Sequence, residues 1–163
     1  MTRDDESRSY AEHLIAEHRR LHRLLTQTRT AIVAYNGPDR EASIVDVVRV
    51  LRQVREELER HFAQEETDGL LRKAASSCPQ LSAEARRIED EHPRLLESAD
   101  ALIAQAMDSD QSVEKRVALE LAFDGLRHHL DSHELAENAL LRQSIGADLH
   151  AHEDNQPKMM SDV

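Results

Sequence analysis

The feature that most constrains this chain is a pattern that occurs twice. Leu51, Val54, Leu58, His61 and Glu65, and later Phe123, Leu126, Leu130, His133 and Glu137, share the same offsets: an apolar stripe runs into a His, and a Glu follows four residues on. Steps of three and four keep residues on one face of an α-helix, about one turn apart. The stripe has to face a core, so the His and Glu that continue it face the core as well. A buried imidazole or carboxylate without a partner is costly, and a metal ion is a partner that suits both. Inward-facing His and carboxylate side chains on helices are the recurring construction of di-metal sites in four-helix bundles.

The rest of the chain supplies two more helices of the same kind. Residues 10–35 carry Leu14, His18, Leu21, Leu25 and Ile32 on one face, with Ser9 and Glu12 as a capping box and Asn36-Gly37-Pro38 as the stop. Residues 40–73 hold the first copy of the pattern and end in the polar break Ser76-Ser77-Cys78-Pro79. Residues 82–107 carry Ala85, Ile88, His92, Leu95, Ala99, Leu102 and Ala106, and Pro93 predicts a kink at the histidine. Residues 112–144 hold the second copy. The expected architecture is all-α, an up-down-up-down antiparallel four-helix bundle over residues 10–145, between a polar N-terminal arm, residues 1–9, and a disordered tail, residues 146–163.

Composition agrees with helices. The 163 residues suffice for one domain with a real core. Four Gly, four Pro, no Trp and 2% aromatic residues do not suit a sheet protein. A net charge of −11 argues against nucleic acid or an anionic membrane as partner, because both require a basic surface. The single Cys78 allows no internal disulfide. The polar N-terminus has no apolar signal region and no long apolar run follows it, so a cytoplasmic protein is expected.

The order of the histidines then becomes informative. In the first and third helices the His comes early and the apolar run follows; in the second and fourth the run comes first. Antiparallel packing brings His18, His61, Glu65, His92, His133 and Glu137 to one end of the bundle. Those six suit a pair of ions, each taking two imidazoles, with both carboxylates bridging. Nitrogen and oxygen donors without thiolate suit iron, and zinc or manganese also fit. His22 and His129 fall one layer deeper on the same faces and are secondary candidates. Glu66 is expected to be exposed beside Glu65, His13 and His128 to be solvated, and His150 and His152 to belong to the tail.

One His, then His-x-x-x-Glu, then one His, then His-x-x-x-Glu, spread over four helices, resembles the hemerythrin-like family, the HHE cation-binding domain. Glu17-His18-Arg19-Arg20-Leu21, His61-Phe62-Ala63-Gln64-Glu65-Glu66 and Glu91-His92-Pro93 resemble that family locally. The likeness covers residues 10–141 and implies a non-haem di-iron centre, oxo- or carboxylate-bridged, that meets O2, nitric oxide or peroxide. Two departures separate the chain from the family's oxygen carriers. Leu96 stands where they have a further His, and Asn138 where they have an Asp, with Glu137 one position earlier.

The resemblance implies a protein that senses or detoxifies O2, NO or peroxide, with catalase-like or NO-reducing turnover as an enzymatic variant of the same site. An iron buffer or iron donor, and a bundle module with a structural metal, are the competing functions. No feature of the sequence specifies a protein partner.

Overall fold

The computed structural model describes residues 3–39, 42–108 and 110–153, and every described element is helical. In chain order these are α1 (Arg3–Asn36), α2 (Ile44–Asp68), α3 (Leu70–Ser77), a 3-10 turn (Pro79–Leu81), α4 (Ser82–Glu89), α5 (His92–Ala106) and α6 (Val113–Glu153). Four of them, α1, α2, α5 and α6, pack cyclically as the expected bundle, each against its two neighbours. The expectations for His13, His150 and His152 concern side chains outside the described ones.

The apolar stripes build the core. Leu21, Leu25 and Ile32 of α1, Leu51, Val54 and Leu58 of α2, Leu95, Ala99 and Leu102 of α5, and Phe123, Leu126 and Leu130 of α6 are all buried in one cluster. At roughly 25 cal/mol per Å² of apolar surface, each large side chain contributes about 1.5–3 kcal/mol relative to exposure, which is what holds long helices with a polar outer face together. A smaller cluster forms where α3 and α4 fold onto α6: Leu71, Ala74, Ala85, Ile88 and Leu140 are buried there. No helix among the described residues is long and apolar enough to cross a membrane.

Helix boundaries differ from the sequence expectation in ways that matter for the site. α1 begins at Arg3, so Ser9 lies inside the helix and does not cap it. The capping box belongs to α2, where Ser43 Oγ accepts from Asp46 N at 3.2 Å and Asp46 Oδ2 accepts from Ser43 N at 3.2 Å. α2 stops at Asp68 because Gly69 adopts φ 60°, ψ 31°, and its N–H donates to Glu65 O at 2.9 Å; glycine takes this left-handed conformation without a Cβ penalty. The third long helix is broken into α4 and α5 rather than kinked. Pro93 sits in the first turn of α5, where its missing N–H has no helical partner to lose. The break turns the chain at Asp90 and Glu91 and sets His92 at the head of α5. α6 continues through Gly146 to Glu153.

Candidate metal centre

Each of the four long helices delivers one buried histidine to the same end of the bundle. His18 comes from α1, His61 from α2, His92 from α5 and His133 from α6, and Glu65 and Glu137 are buried with them. Their potential donor atoms form two groups: His18, His61, Glu65 and Glu137 in one, Glu65, His92 and His133 in the other, with all atoms of a group within 4.8 Å of one another. All six residues singled out in the sequence are therefore brought together. The arrangement differs in one respect from two bridging carboxylates, since Glu65 belongs to both groups and Glu137 to one.

Glu65 lies between the groups. Its Oε1 is 3.0 Å from His61 Nε2 and its Oε2 is 3.3 Å from His92 Nε2. His18 Nε2 is 3.5 Å from Glu137 Oε2. These atoms are close, but they are not aligned as hydrogen bonds. His18 Nε2, His92 Nε2, His133 Nε2, both oxygens of Glu65 and Glu137 Oε2 are buried polar atoms without a hydrogen-bond partner. Buried polar groups are paired in the great majority of cases, so six orphaned atoms converging on one spot fit a cation that none of the side chains can replace.

The opposite nitrogen of three of the four rings is supported by a carboxylate. His61 Nδ1 pairs with Glu17 Oε2 at 3.3 Å, His92 Nδ1 with Glu66 Oε1 at 3.3 Å, and His133 Nδ1 with Glu91 Oε2 at 3.0 Å. His18 Nδ1 is 3.9 Å from Glu134 Oε2. With a proton held on Nδ1, the lone pair of Nε2 points to the interior, the arrangement in which histidine binds metal. Phe62 supports the rings from one side: it stacks on His92 and meets His133 edge-on at 5.6 Å between centroids.

Electrostatics without an ion are frustrated. Burial pulls the His61 pKa down, but the carboxylates of Glu65, Glu137 and Glu17 outweigh it and lift it to about 9. His92 is raised in the same way by Glu65 and Glu66, against burial. Burial lowers His133, and the charge on His92 lowers it further against the pull of Glu91. Burial would raise Glu65, yet the His61 and His92 rings hold it well below the usual carboxylate range. Burial raises Glu137, and the neighbouring Glu65 charge adds to this against the pull of His18.

The model of the hemerythrin HHE cation-binding domain matches residues 9–142. The chain belongs to the hemerythrin HHE family. No curated protein and no solved structure matches it. HHE domains bind metal cations, and in this hemerythrin-like chain the two His/Glu groups are able to hold them.

The remaining sequence candidates lie outside those groups. His22 is half-exposed and its Nε2 pairs with Glu134 Oε2 at 2.9 Å. His129 is half-buried and lines a cavity of about 290 Å³ between α5 and α6. His128 is exposed, as expected. Glu66 has an exposed side chain and still supports His92. Sequence reasoning missed Glu17, Glu91 and Glu134 as supports. Each is the chain neighbour of a site histidine, which was the available signal, but each reaches a histidine on a different helix.

Proposed function

We propose that this chain is a non-haem di-iron protein that binds or reacts with O2, NO or peroxide, in sensing or detoxification. The observation that carries this reading is the position of Glu65, whose two oxygens face imidazoles of different groups. One carboxylate between two sets of donors suits two ions a bridge apart. His18, His61 and Glu137 would hold one ion, His92 and His133 the other, and Glu65 both. A pair of irons there would supply a redox-active centre, and mixed imidazole and carboxylate donors suit iron.

The chain's own residues do the rest. The carboxylates on Nδ1 hold the rings in the metal-binding orientation, and Phe62 keeps one side of His92 and His133 apolar. The second group offers one donor residue fewer than the first, so an exogenous small molecule is expected to approach on the His92 and His133 side.

The test is metal analysis with optical spectra of anaerobically purified protein, before and after O2, peroxide and NO. The expected result is close to two irons per chain and a spectral change with at least one of the three. Zinc alone after expression in iron-replete medium, or iron spectra that respond to none of them, overturns the reading.

A further inference from the structure

The supporting carboxylates run in one direction around the bundle. Glu17 on α1 holds His61 on α2; Glu66 on α2 holds His92 on α5; Glu91, at the head of α5, holds His133 on α6; and Glu134 on α6 faces His18 on α1. Every long helix thus gives one histidine to the centre and one carboxylate to the histidine of the next helix. The circuit closes only in the assembled bundle. Three of its joints are hydrogen bonds of 3.0–3.3 Å, whereas the fourth is 3.9 Å, and the same Glu134 oxygen lies 2.9 Å from the half-exposed His22.

We infer that Glu17, Glu66, Glu91 and Glu134 are positioning residues that form a directed ring around the metal centre, and that the joint His22 draws away from His18 makes the ion held through His18 the more exchangeable of the two. The inference rests on the two-ion reading above, but not on its redox chemistry. A carboxylate on the far nitrogen fixes ring orientation and raises the basicity of the metal-facing nitrogen, and losing such a partner typically costs about 10–100-fold in metal affinity. His18 lacks a hydrogen bond of that kind, so its hold on an ion is the weakest of the four. His22 holds Oε2, the Glu134 oxygen nearer His18, and so fixes the carboxylate in an orientation that leaves Oε1 buried without a hydrogen-bond partner.

Two half-exposed positions allow a test without damage to the core: the Glu66 side chain is 54% exposed and that of His22 is 49% exposed. The probe is zinc(II), which is redox-silent and so leaves the O2, NO and peroxide chemistry out of the measurement. Zinc affinity of Glu66→Ala is expected to fall about 10-fold, with recovery in Glu66→Gln, which keeps an acceptor oxygen, and no change in Glu97→Ala, an exposed α5 control. Equal affinities for Glu66→Ala and the parent overturn the ring. Release of zinc to a chromogenic chelator at fixed pH is expected in two phases. His22→Ala frees Glu134 for His18 and is expected to slow the fast phase severalfold, leaving the slow phase in place; adding Glu134→Ala to His22→Ala is expected to abolish that slowing. An unchanged fast phase in His22→Ala overturns the order of exchange. A parent that binds two zinc ions but no iron separates failure of the di-iron reading from failure of this one.

Discussion

Phe62 lies flat on His92, with ring centroids 4.1 Å apart and an interplanar angle of 6°. The same ring meets His61 at 5.5 Å and His133 at 5.6 Å, so one buried aromatic side chain braces three of the four histidines. Removal of a fully buried phenyl ring costs about 3–5 kcal/mol through lost burial and the cavity left behind. Phe62→Ala is therefore expected to lower stability by that amount in denaturant unfolding and also to weaken metal binding. Phe62→Leu keeps most of the volume without the flat face, and is expected to separate the two effects: a smaller stability loss, with reduced metal affinity retained. Unchanged metal affinity in Phe62→Leu would show that the brace is only packing.

The shared carboxylate makes its own prediction. Glu65 touches both groups and Glu137 one. Glu65→Ala is expected to abolish most metal uptake, whereas Glu137→Ala is expected to leave close to half. Metal-to-protein ratios after loading and gel filtration measure this directly. Equal losses in the two variants would mean that both carboxylates bridge, the arrangement expected from the sequence.

Much of this organisation was legible in the sequence, for a definite reason. Spacing along one helix is a local property, so the stripes ending in His61-x-x-x-Glu65 and His133-x-x-x-Glu137 state which face is buried before any packing is known. The early position of His18 and His92 and the late position of His61 and His133 then fix one common layer. What was not legible acts between helices or through competition. Glu17, Glu91 and Glu134 sit beside histidines in sequence but support histidines of other helices, which spacing cannot reveal. Pro93 was equally compatible with a kink inside one helix and with the first turn of a new one, and the turn at Asp90 and Glu91 decided between them. The apolar stripe predicts one helix over residues 40–73, but Gly69 in the left-handed conformation ends α2 at Asp68, a common way for a helix to end.

Metal-free protein should depend on pH in a direction set by the histidines. The folded-state pKa of His61 is raised from 6.5 to about 9, and that of His92 is raised as well. A raised pKa contributes stability that is fully present below the unfolded value and is lost as pH rises through the folded one. The His61 contribution, about 3 kcal/mol at most, is therefore expected to disappear between pH 6.5 and about 9. The depressed pKa of Glu65 acts at the other end, its contribution present above the ordinary value of 4.5 and lost as pH falls below it. His133, held low, opposes His61 by disfavouring the folded state as pH falls below 6.5. Denaturant midpoints of metal-free protein are expected to peak near pH 5–6.5 and to decline toward pH 9. A flat profile would show that the imidazoles are not paired with the carboxylates in solution.

Leu96 offers a test of the side on which exogenous molecules are proposed to approach. It lies one turn after His92 on α5, partly buried against the core, next to the group with fewer donors. Leu96→His would place a further nitrogen one turn from His92 on the same helical side. If exogenous molecules approach on the His92 and His133 side, that nitrogen occupies the position they need. At equal iron content the variant is expected to consume peroxide, or to change its spectrum with NO, more slowly than the parent. The same substitution also removes packed apolar surface, so it is expected to cost about 1–3 kcal/mol in the metal-free protein. Stability and reactivity must therefore be read separately, and Leu96→Asn serves as the control that carries a comparable packing loss with no imidazole. Slowing in Leu96→His but not in Leu96→Asn assigns the effect to the added donor. Equal rates in all three proteins would place the open position on the ion held by His18 and His61 instead.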